Sequence, residues 1–364
     1  MRRSRGRVIN VDSLEDFDHR VASGARSMSG WRLRSLDLTE RGRDLRSIDV
    51  ASALFLGCAL RPDDEESVRA RGAVVFPTVP DSPVDTYRTA LYTAQELYDA
   101  PDYAQSLDAR VYAWSQRTGS RDSALAQSLH DHSIGLALEQ WIRGRRLVGV
   151  MGGHDAARGD AGYADGARLG RMLAQNHTVA SGGGPGAMEA VNLGGYLAGH
   201  GPEAIDEALE ILARAPGFVP SIDAWVKAAF AVRELFPDGG DSLGIPTWHY
   251  GHEPPNAFAS AIAKYFRNAQ REAILLEICQ DGIVFLPGAG GTVQEIFQDA
   301  CENYYADESS TAPMVLIGRD YWTRRYPAWP LLKALAKGRA MEPHVHLVDT
   351  VEDAVELMQP GVPR

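Results

Sequence analysis

The sequence predicts an α/β fold, a Rossmann-like parallel sheet flanked by helices, with an N-terminal α/β and helical extension. Three observations predict it. Two glycine-rich turns, SGGGPG (Ser181–Gly186) and PGAGG (Pro287–Gly291), each follow a short apolar run and precede a helical pattern. From residue 144 onward, short apolar runs alternate with amphipathic stretches, the order of βαβ units with right-handed crossovers. The chain has 364 residues, 45% of them hydrophobic, enough for two domains or for one large domain with an extension.

Residues 1–83 read as a small α/β module. Val8–Val11 is expected as a strand, and Ser13 opens a helix with Glu15 and Asp16 in its first turn. LRSLDL (Leu33–Leu38), LRSIDV (Leu45–Val50), ALFLGCAL (Ala53–Leu60) and GAVVFP (Gly72–Pro77) alternate in polarity and are expected as strands. The echo between the first two suggests a stacked-strand repeat, but two copies do not make a solenoid. Residues 84–143 read as a helical connector, with apolar residues at three- and four-residue spacing. His130 and His132 lie two apart and point to different helix faces, so they do not make a metal pair.

Residues 144–364 read as the main domain. Its first strand is Arg145–Met151, followed by the turn Gly152-Gly153-His154. A helix over Tyr163–Asn176 returns the chain to a strand at Thr178–Ala180. The helix from Ala187 to about Gly199 leads into residues 200–240, a helical insertion that reads equally as surface elaboration and as a lid or dimer contact. A strand at Ser242–Thr247 follows, then HYGHEPPNAF. Its His249-x-x-His252 spacing is three rather than four and Pro254-Pro255 ends any helix, so a loop beside a ligand is expected, not a zinc motif. Ala257–Cys279 reads as one long helix carrying Lys264, Arg267 and Arg271. Strands at Gly282–Leu286, Pro313–Ile317 and Val345–Val348 bring the expected count to six, with helices at Trp329–Lys337 and Val351–Met358.

The two glycine turns carry the chemistry. A strand, a glycine turn and a helix present free N–H groups at the helix N-terminus, a site for an anion such as phosphate. In the turn after residue 286, Gly288, Gly290 and Gly291 allow close backbone approach and positive φ. Thr292 is placed to cap the helix and offer a hydroxyl. Glu295 faces the turn three residues later, although Thr-x-x-Glu is also a helix-start signature. In the other turn Gly182, Gly183, Gly184 and Gly186 play the same part, with Glu189 close behind. Two such turns in one α/β domain point to one shared site at the strand C-termini.

SGGGPGAMEA and PGAGGTVQE resemble the paired motifs of the LONELY GUY family, often mislabelled lysine decarboxylases. The Gly-Pro-Gly-Ala-Met-Glu form is similar to the larger bacterial nucleoside 5′-monophosphate nucleosidases of that superfamily. The resemblance covers roughly residues 145–358. Two positions depart from it: Ala289 stands where a second glycine is usual, and Glu272 follows Arg271 where an Arg-Lys pair is typical. The resemblance implies hydrolysis of a nucleoside 5′-monophosphate at its N-glycosidic bond, without a cofactor or a metal. It implies Gly288, Gly290, Gly291 and Thr292 around the 5′-phosphate and Glu295 on the ribose or the water. Glu189 is then the second catalytic carboxylate, Arg271 meets the base or stabilises charge, Gly182 to Gly184 and Gly186 shape the floor, and Met188 sits near the base. It also implies a homodimer or higher homo-oligomer. A nucleotide sensor of the same fold that binds without cleaving is the alternative.

Composition bounds the rest. The formal charge is -11, from 37 basic and 48 acidic residues, which argues against nucleic-acid binding. Three dispersed cysteines form neither a disulfide nor a zinc framework, and a reducing cytoplasm fits them. No apolar stretch follows the basic start, and the run near Ala51–Leu60 is too short to span a membrane. Gly182–Ala187 matches G-x-G-x-x-A but follows the second strand without the acidic residue a dinucleotide site needs. No lysine lies in either turn for a Schiff base, and G-x-S-x-G and P-loop patterns are absent.

Overall fold

Short apolar runs become parallel strands, and two separate sheets arise; the central strands of the second are buried on both faces, whereas strands of the first alternate between buried and more exposed residues. The computed structural model describes residues 8–117, 121–249 and 253–359. The chain divides into two units, Met1–Ala90 with Trp114–Leu138, and Leu91–Ala113 with Glu139–Arg364. The 84–143 stretch is thus shared between them.

The first unit contains β1 (Ile9–Val11), α1 (Leu14–Ala22), β2 (Trp31–Arg34), α2 (Gly42–Ser47), β3 (Leu54–Leu56), α3 (Pro62–Ala70) and β4 (Val74–Phe76). Its four strands are parallel and adjacent in chain order. Pairing of Ile9 with Trp31, Arg32 with Leu54 and Leu54 with Val74 sets a strand roughly every 20–22 residues, the spacing of a stacked-strand array. Phe17, Trp31, Leu33, Leu45, Phe55 and Val68 fill its core. The echo between LRSLDL and LRSIDV is not this repeat. Leu33 lies in β2, whereas Leu45 lies in α2, and Leu45 and Ile48 are buried at helical three-residue spacing. LRSIDV is therefore a helix end, not a strand.

Three helices follow, α4 (Ala94–Leu97), α5 (Leu107–Ser115) and α6 (Arg121–Trp141). The second unit then runs β5 (Leu147–Met151), α7 (Ala161–Leu173), β6 (Thr178–Ser181), α8 (Ala187–Tyr196), α9 (Ala204–Leu212), α10 (Ile222–Leu235), β7 (Ser242–Gly244) and β8 (Ala261–Ile262). It continues with α11 (Asn268–Glu277), β9 (Ile283–Phe285), α12 (Gly290–Tyr305), β10 (Met314–Ile317), α13 (Ala328–Ala336), β11 (Val345–Val348) and α14 (Val351–Leu357). The sheet order is β11-β10-β9-β5-β6-β7-β8, all parallel. The chain builds outward from β5 on one side and then returns to lay β9 against its other side. That reversal opens a crevice at the carboxyl ends of β5, β6 and β9.

All six strands expected in this unit form. The seventh, β8, corrects the expectation of a helix over Ala257–Cys279; the helix there begins only at Asn268. Ala257, Phe258, Ala259, Ile262, Ala263 and Tyr265 are all essentially fully buried. A run buried on every side has no helical periodicity to read, and strand and helix are indistinguishable in it by pattern.

Residues 91–113 lie along this edge of the sheet. Tyr92 exchanges both backbone hydrogen bonds with Ile262, which covers the open side of β8. Asp108 accepts from Lys264 Nζ at 2.5 Å, Trp248 Nε1 at 2.8 Å and Tyr103 OH at 2.8 Å. Lys264 and Asp108 are both fully buried, and burial pulls the lysine below its ordinary pKa while Asp108 opposes that pull. Replacing one partner leaves the other charge buried alone. Asp108→Ala is expected to cost about 3–5 kcal/mol in urea unfolding, and Asp108→Leu with Lys264→Met to recover most of that loss.

Candidate active site

The crevice at the switch point is a cleft of about 330 Å³, close to the lower range of small-ligand sites. Three loops build it, one after each of β5, β6 and β9. They are tied by backbone hydrogen bonds: Gly153 N to Pro287 O at 3.1 Å and Ala187 N to Gly153 O at 3.0 Å. Tyr321 OH donates to Gly288 O at 2.8 Å and braces the turn after β9.

In that turn none of Gly288, Gly290 and Gly291 has a positive φ. Gly288 is needed for close approach, because a Cβ there would collide with the Thr292 side chain and with Gly153 N. A Cβ at Gly290 or Gly291 would meet nothing, so both face open space in the cleft. The N-cap of α12 is Ala289, and no side chain caps the helix. This corrects the expectation that Thr292 is the cap, and it removes the capping-box account of Glu295. Thr292 is the third helical residue and lines the cleft. The first N–H groups of α12 therefore point toward the ligand space without a side-chain partner.

The turn after β6 does use the left-handed region, with φ of 73° at Gly183 and 71° at Gly186. Gly186 also passes directly under the backbone of Gly153 and His154. Gly182, Gly184 and Met188 line the cleft; Gly183 and Gly186 shape the turn behind it. A buried network fixes its shape. Asn256 Nδ2 donates to Gly184 O at 3.2 Å and to Asn192 Oδ1 at 3.0 Å, and Ser181 Oγ donates to Asn192 Oδ1 at 2.7 Å.

Arg271 reaches in from α11. Its Nε donates to Ile245 O at 2.6 Å and its Nη2 to Gly182 O at 3.2 Å, which fixes the guanidinium at the ends of β6 and β7. Its Nη1 stands 3.8 Å from Glu295 Oε1. Glu295 is 9% exposed, and burial pushes its carboxyl up to about 7, with Arg271 lowering it and Glu272 raising it. A carboxyl poised at neutrality in a cleft is the usual mark of proton-transfer work.

Glu189 is not in this group. It is fully buried, donated to by Arg158 Nε at 2.9 Å and by Arg158 Nη2. Arg158 also bonds Trp225 O at 2.8 Å and stacks 4.6 Å from the Trp225 ring, so the pair ties α8 to the insertion carrying α10. Sequence reasoning missed Arg158, Asn192 and Asn256, whose partners are distant in the chain. It also passed over four cleft residues: Glu272, Gln294, His154 and Asp155. Glu272 had a signal, as the departure beside Arg271. Glu253, in the loop expected beside a ligand, lines the cleft with Pro246 and Thr247. The His249-x-x-His252 pattern ends outside the described residues. Among the described residues no three His, Cys, Asp or Glu side chains are grouped to hold a metal, and no helix is long and apolar enough to cross a membrane.

No protein-family model and no curated protein matches the sequence. Solved structures do. A molybdenum-cofactor-binding protein of Rippkaea orientalis is 17% identical with a TM-score of 0.36, covering 59% of this chain and 95% of its own. The molybdenum cofactor carrier protein of Chlamydomonas reinhardtii is 17% identical with a TM-score of 0.35, covering 58% and 94%. A protein designated TM1055 is 21% identical with a TM-score of 0.34, covering 58% and 97%. With similarity this distant, function has to be sought in the side chains of the cleft.

One acid behind the cleft has a measurable consequence. Asp299 lies one turn beyond Glu295 and is buried; its Oδ2 has no hydrogen-bond partner among the described residues. Burial pushes it up to about 8, and Glu302 adds to this. The folded chain thus holds this proton more tightly than the unfolded chain. The resulting penalty is absent below the ordinary carboxyl range, builds as pH rises through it, and stops growing once the folded group ionises near 8. Thermal melts are expected to place Asp299→Asn close to wild type at pH 4 and more stable by about 1–3 kcal/mol at pH 8.

Proposed function

We propose that this chain is a phosphoribohydrolase, hydrolysing the N-glycosidic bond of nucleoside 5′-monophosphates to a free base and ribose 5-phosphate. The observation that carries the reading is one cleft in which a buried carboxyl near neutrality, Glu295, faces Arg271 beside an uncapped helix N-terminus. The motif resemblance to the LONELY GUY family supports the same chemistry, and with it a homodimer or higher homo-oligomer in the cytoplasm.

The 5′-phosphate lies on the N–H groups of Gly290, Gly291 and Thr292, where the helix dipole favours an anion. Glu295 meets the ribose side of the scissile bond. Glycosidic cleavage develops oxocarbenium character at C1′, which a carboxylate stabilises when ionised and which a carboxyl assists by protonating the leaving base. Arg271 stabilises charge on the departing base or on the phosphate. Gly182, Gly184 and Met188 form the wall beside the base. Glu189 does not line the cleft; fully buried and bonded to Arg158, it is given no catalytic role in this reading. Phosphate binding at a distance from C1′ supplies orientation used at the reacting carbon.

Purified protein incubated with nucleoside 5′-monophosphates and with the matching nucleosides tests this. Base release from the monophosphates alone is expected. Binding with no release from any of them would favour a nucleotide sensor instead. Two substitutions sharpen the result. Glu295→Gln is expected to lower kcat by about 10²–10⁴. Gly291→Asp fits the open space but sets a carboxylate beside the phosphate, and is expected to raise KM on the order of tenfold with an unchanged melting temperature.

A further inference from the structure

Glu253 brings a further carboxylate into the cleft, from the loop between β7 and β8. The loop is fixed just behind it. Pro254 and Pro255 follow, both buried, and each proline ring sets the φ of its residue. Asn256 comes next and is fully buried. Its N–H donates to Gly183 O at 2.8 Å, and its Nδ2 to Gly184 O at 3.2 Å and Asn192 Oδ1 at 3.0 Å. Its Oδ1 accepts from the N–H groups of Phe258 and Ala259, both at 3.1 Å. Tyr98 OH donates to Pro255 O. The loop that carries Glu253 is thus fastened to the turn after β6, the turn that carries Gly184 and leads to Met188.

This fastening sets the carboxylate beside the wall assigned to the base. A Cβ on Gly184 would lie 2.9 Å from Met188 Cε and 3.6 Å from Glu253 Oε2. The other oxygen, Oε1, stands 3.6 Å from His154 Nδ1, beyond hydrogen-bond length. The imidazole pairs instead through Nε2 with Asp155 Oδ1 at 2.8 Å. Lys264 also feels the Glu253 charge, but its ammonium is bonded to Asp108 at 2.5 Å. Among the described residues no hydrogen bond is made to either Glu253 oxygen, and its side chain is 36% exposed, open to a ligand in the cleft.

We propose that Glu253 selects the base, favouring nucleoside 5′-monophosphates whose base carries an exocyclic amino group over those with a carbonyl at the same position. The inference rests on the phosphoribohydrolase reading, which places the base against Gly184 and Met188. An ionised carboxylate accepts hydrogen bonds and donates none. The amino group of adenine or cytosine offers it a donor. Hypoxanthine and uracil carry a carbonyl there instead, which sets one acceptor against another. The prolines and Asn256 hold the loop before substrate arrives, so the amino group meets a carboxylate already in place, at little ordering cost. Glu253 is a specificity-determining residue in this account and takes no part in breaking the glycosidic bond.

The experiment measures kcat/KM for two matched pairs, AMP against IMP and CMP against UMP, in wild type, Glu253→Gln and Glu253→Ala, with melting temperatures alongside. Each pair exchanges an amino group for a carbonyl at one position. In wild type the amino member of each pair is expected to be preferred by about tenfold to a hundredfold. An amide both donates and accepts, and a methyl group does neither, so both variants are expected to bring the two ratios close to one. A wild-type ratio near one in either pair, or a preference for the carbonyl member, would overturn the proposal. So would ratios that stay at the wild-type value in the variants while both members lose activity equally, since that marks Glu253 as a residue that only holds the loop. Calorimetry with the same four nucleotides separates this inference from the reading beneath it. Amino-selective binding without turnover in wild type would keep the base selection and overturn the hydrolysis. Turnover without selectivity would do the reverse, and neither binding nor turnover would overturn both.

Discussion

The burial of one carboxyl group, that of Glu295, beside the guanidinium of Arg271 is the constraint on which the site depends. A carboxyl is held at this depth because the order of strands along the parallel sheet reverses there. β9 is laid against β5 only after the chain has gone out to β8 and returned. The return sets the start of α12 and the side chain of Arg271 over the same crevice. Arg271 gives two of its donors to the carbonyls of Ile245 and Gly182, at the ends of β7 and β6. Its remaining charge is what keeps Glu295 from rising further. Fold and chemistry are linked through this pair, since the sheet order sets both its burial and its separation.

The glycines serve this arrangement in different ways. Gly288 and Gly182 are small because Thr292, Arg271 and Met188 occupy the space a side chain would take. Gly290 and Gly291 instead leave space in the cleft itself. Ala289 is the N-cap of α12, and its methyl group leaves the following N–H groups uncapped. Behind the turns, the Arg158–Glu189 pair joins the helical insertion to the main unit by a buried guanidinium bonded to a carboxylate and to two carbonyls. That arrangement gives the insertion a fixed attachment.

Much of the fold was legible because strand, glycine turn and helix leave a local signature. The six strands flanking the turns could be read from apolar runs alone, and both turns from their glycines. The exceptions share a cause. β8 is buried on every side and carries no period, and LRSIDV combines the last turn of α2 with its extended C-cap Ile48, both Leu45 and Ile48 being buried. In the site, Arg271, Glu295 and the α12 turn were legible, since each lies in or beside a motif. Glu189 lies beside the glycine turn in sequence, whereas in space its carboxylate is bonded to Arg158. Asn256 and Arg158 act through partners that are distant in the chain, and such pairings leave no pattern in a single sequence.

The most direct test of this account is the titration of Glu295 itself. Carbon-13 NMR of side-chain carboxyls in glutamate-labelled protein, with Glu295→Gln to assign the signal, would follow its proton. The expected result is a carboxyl that titrates at about 7, is absent from the variant, and shifts when a nucleoside 5′-monophosphate is added. A Glu295 signal titrating in the ordinary carboxyl range and indifferent to nucleotide would contradict it.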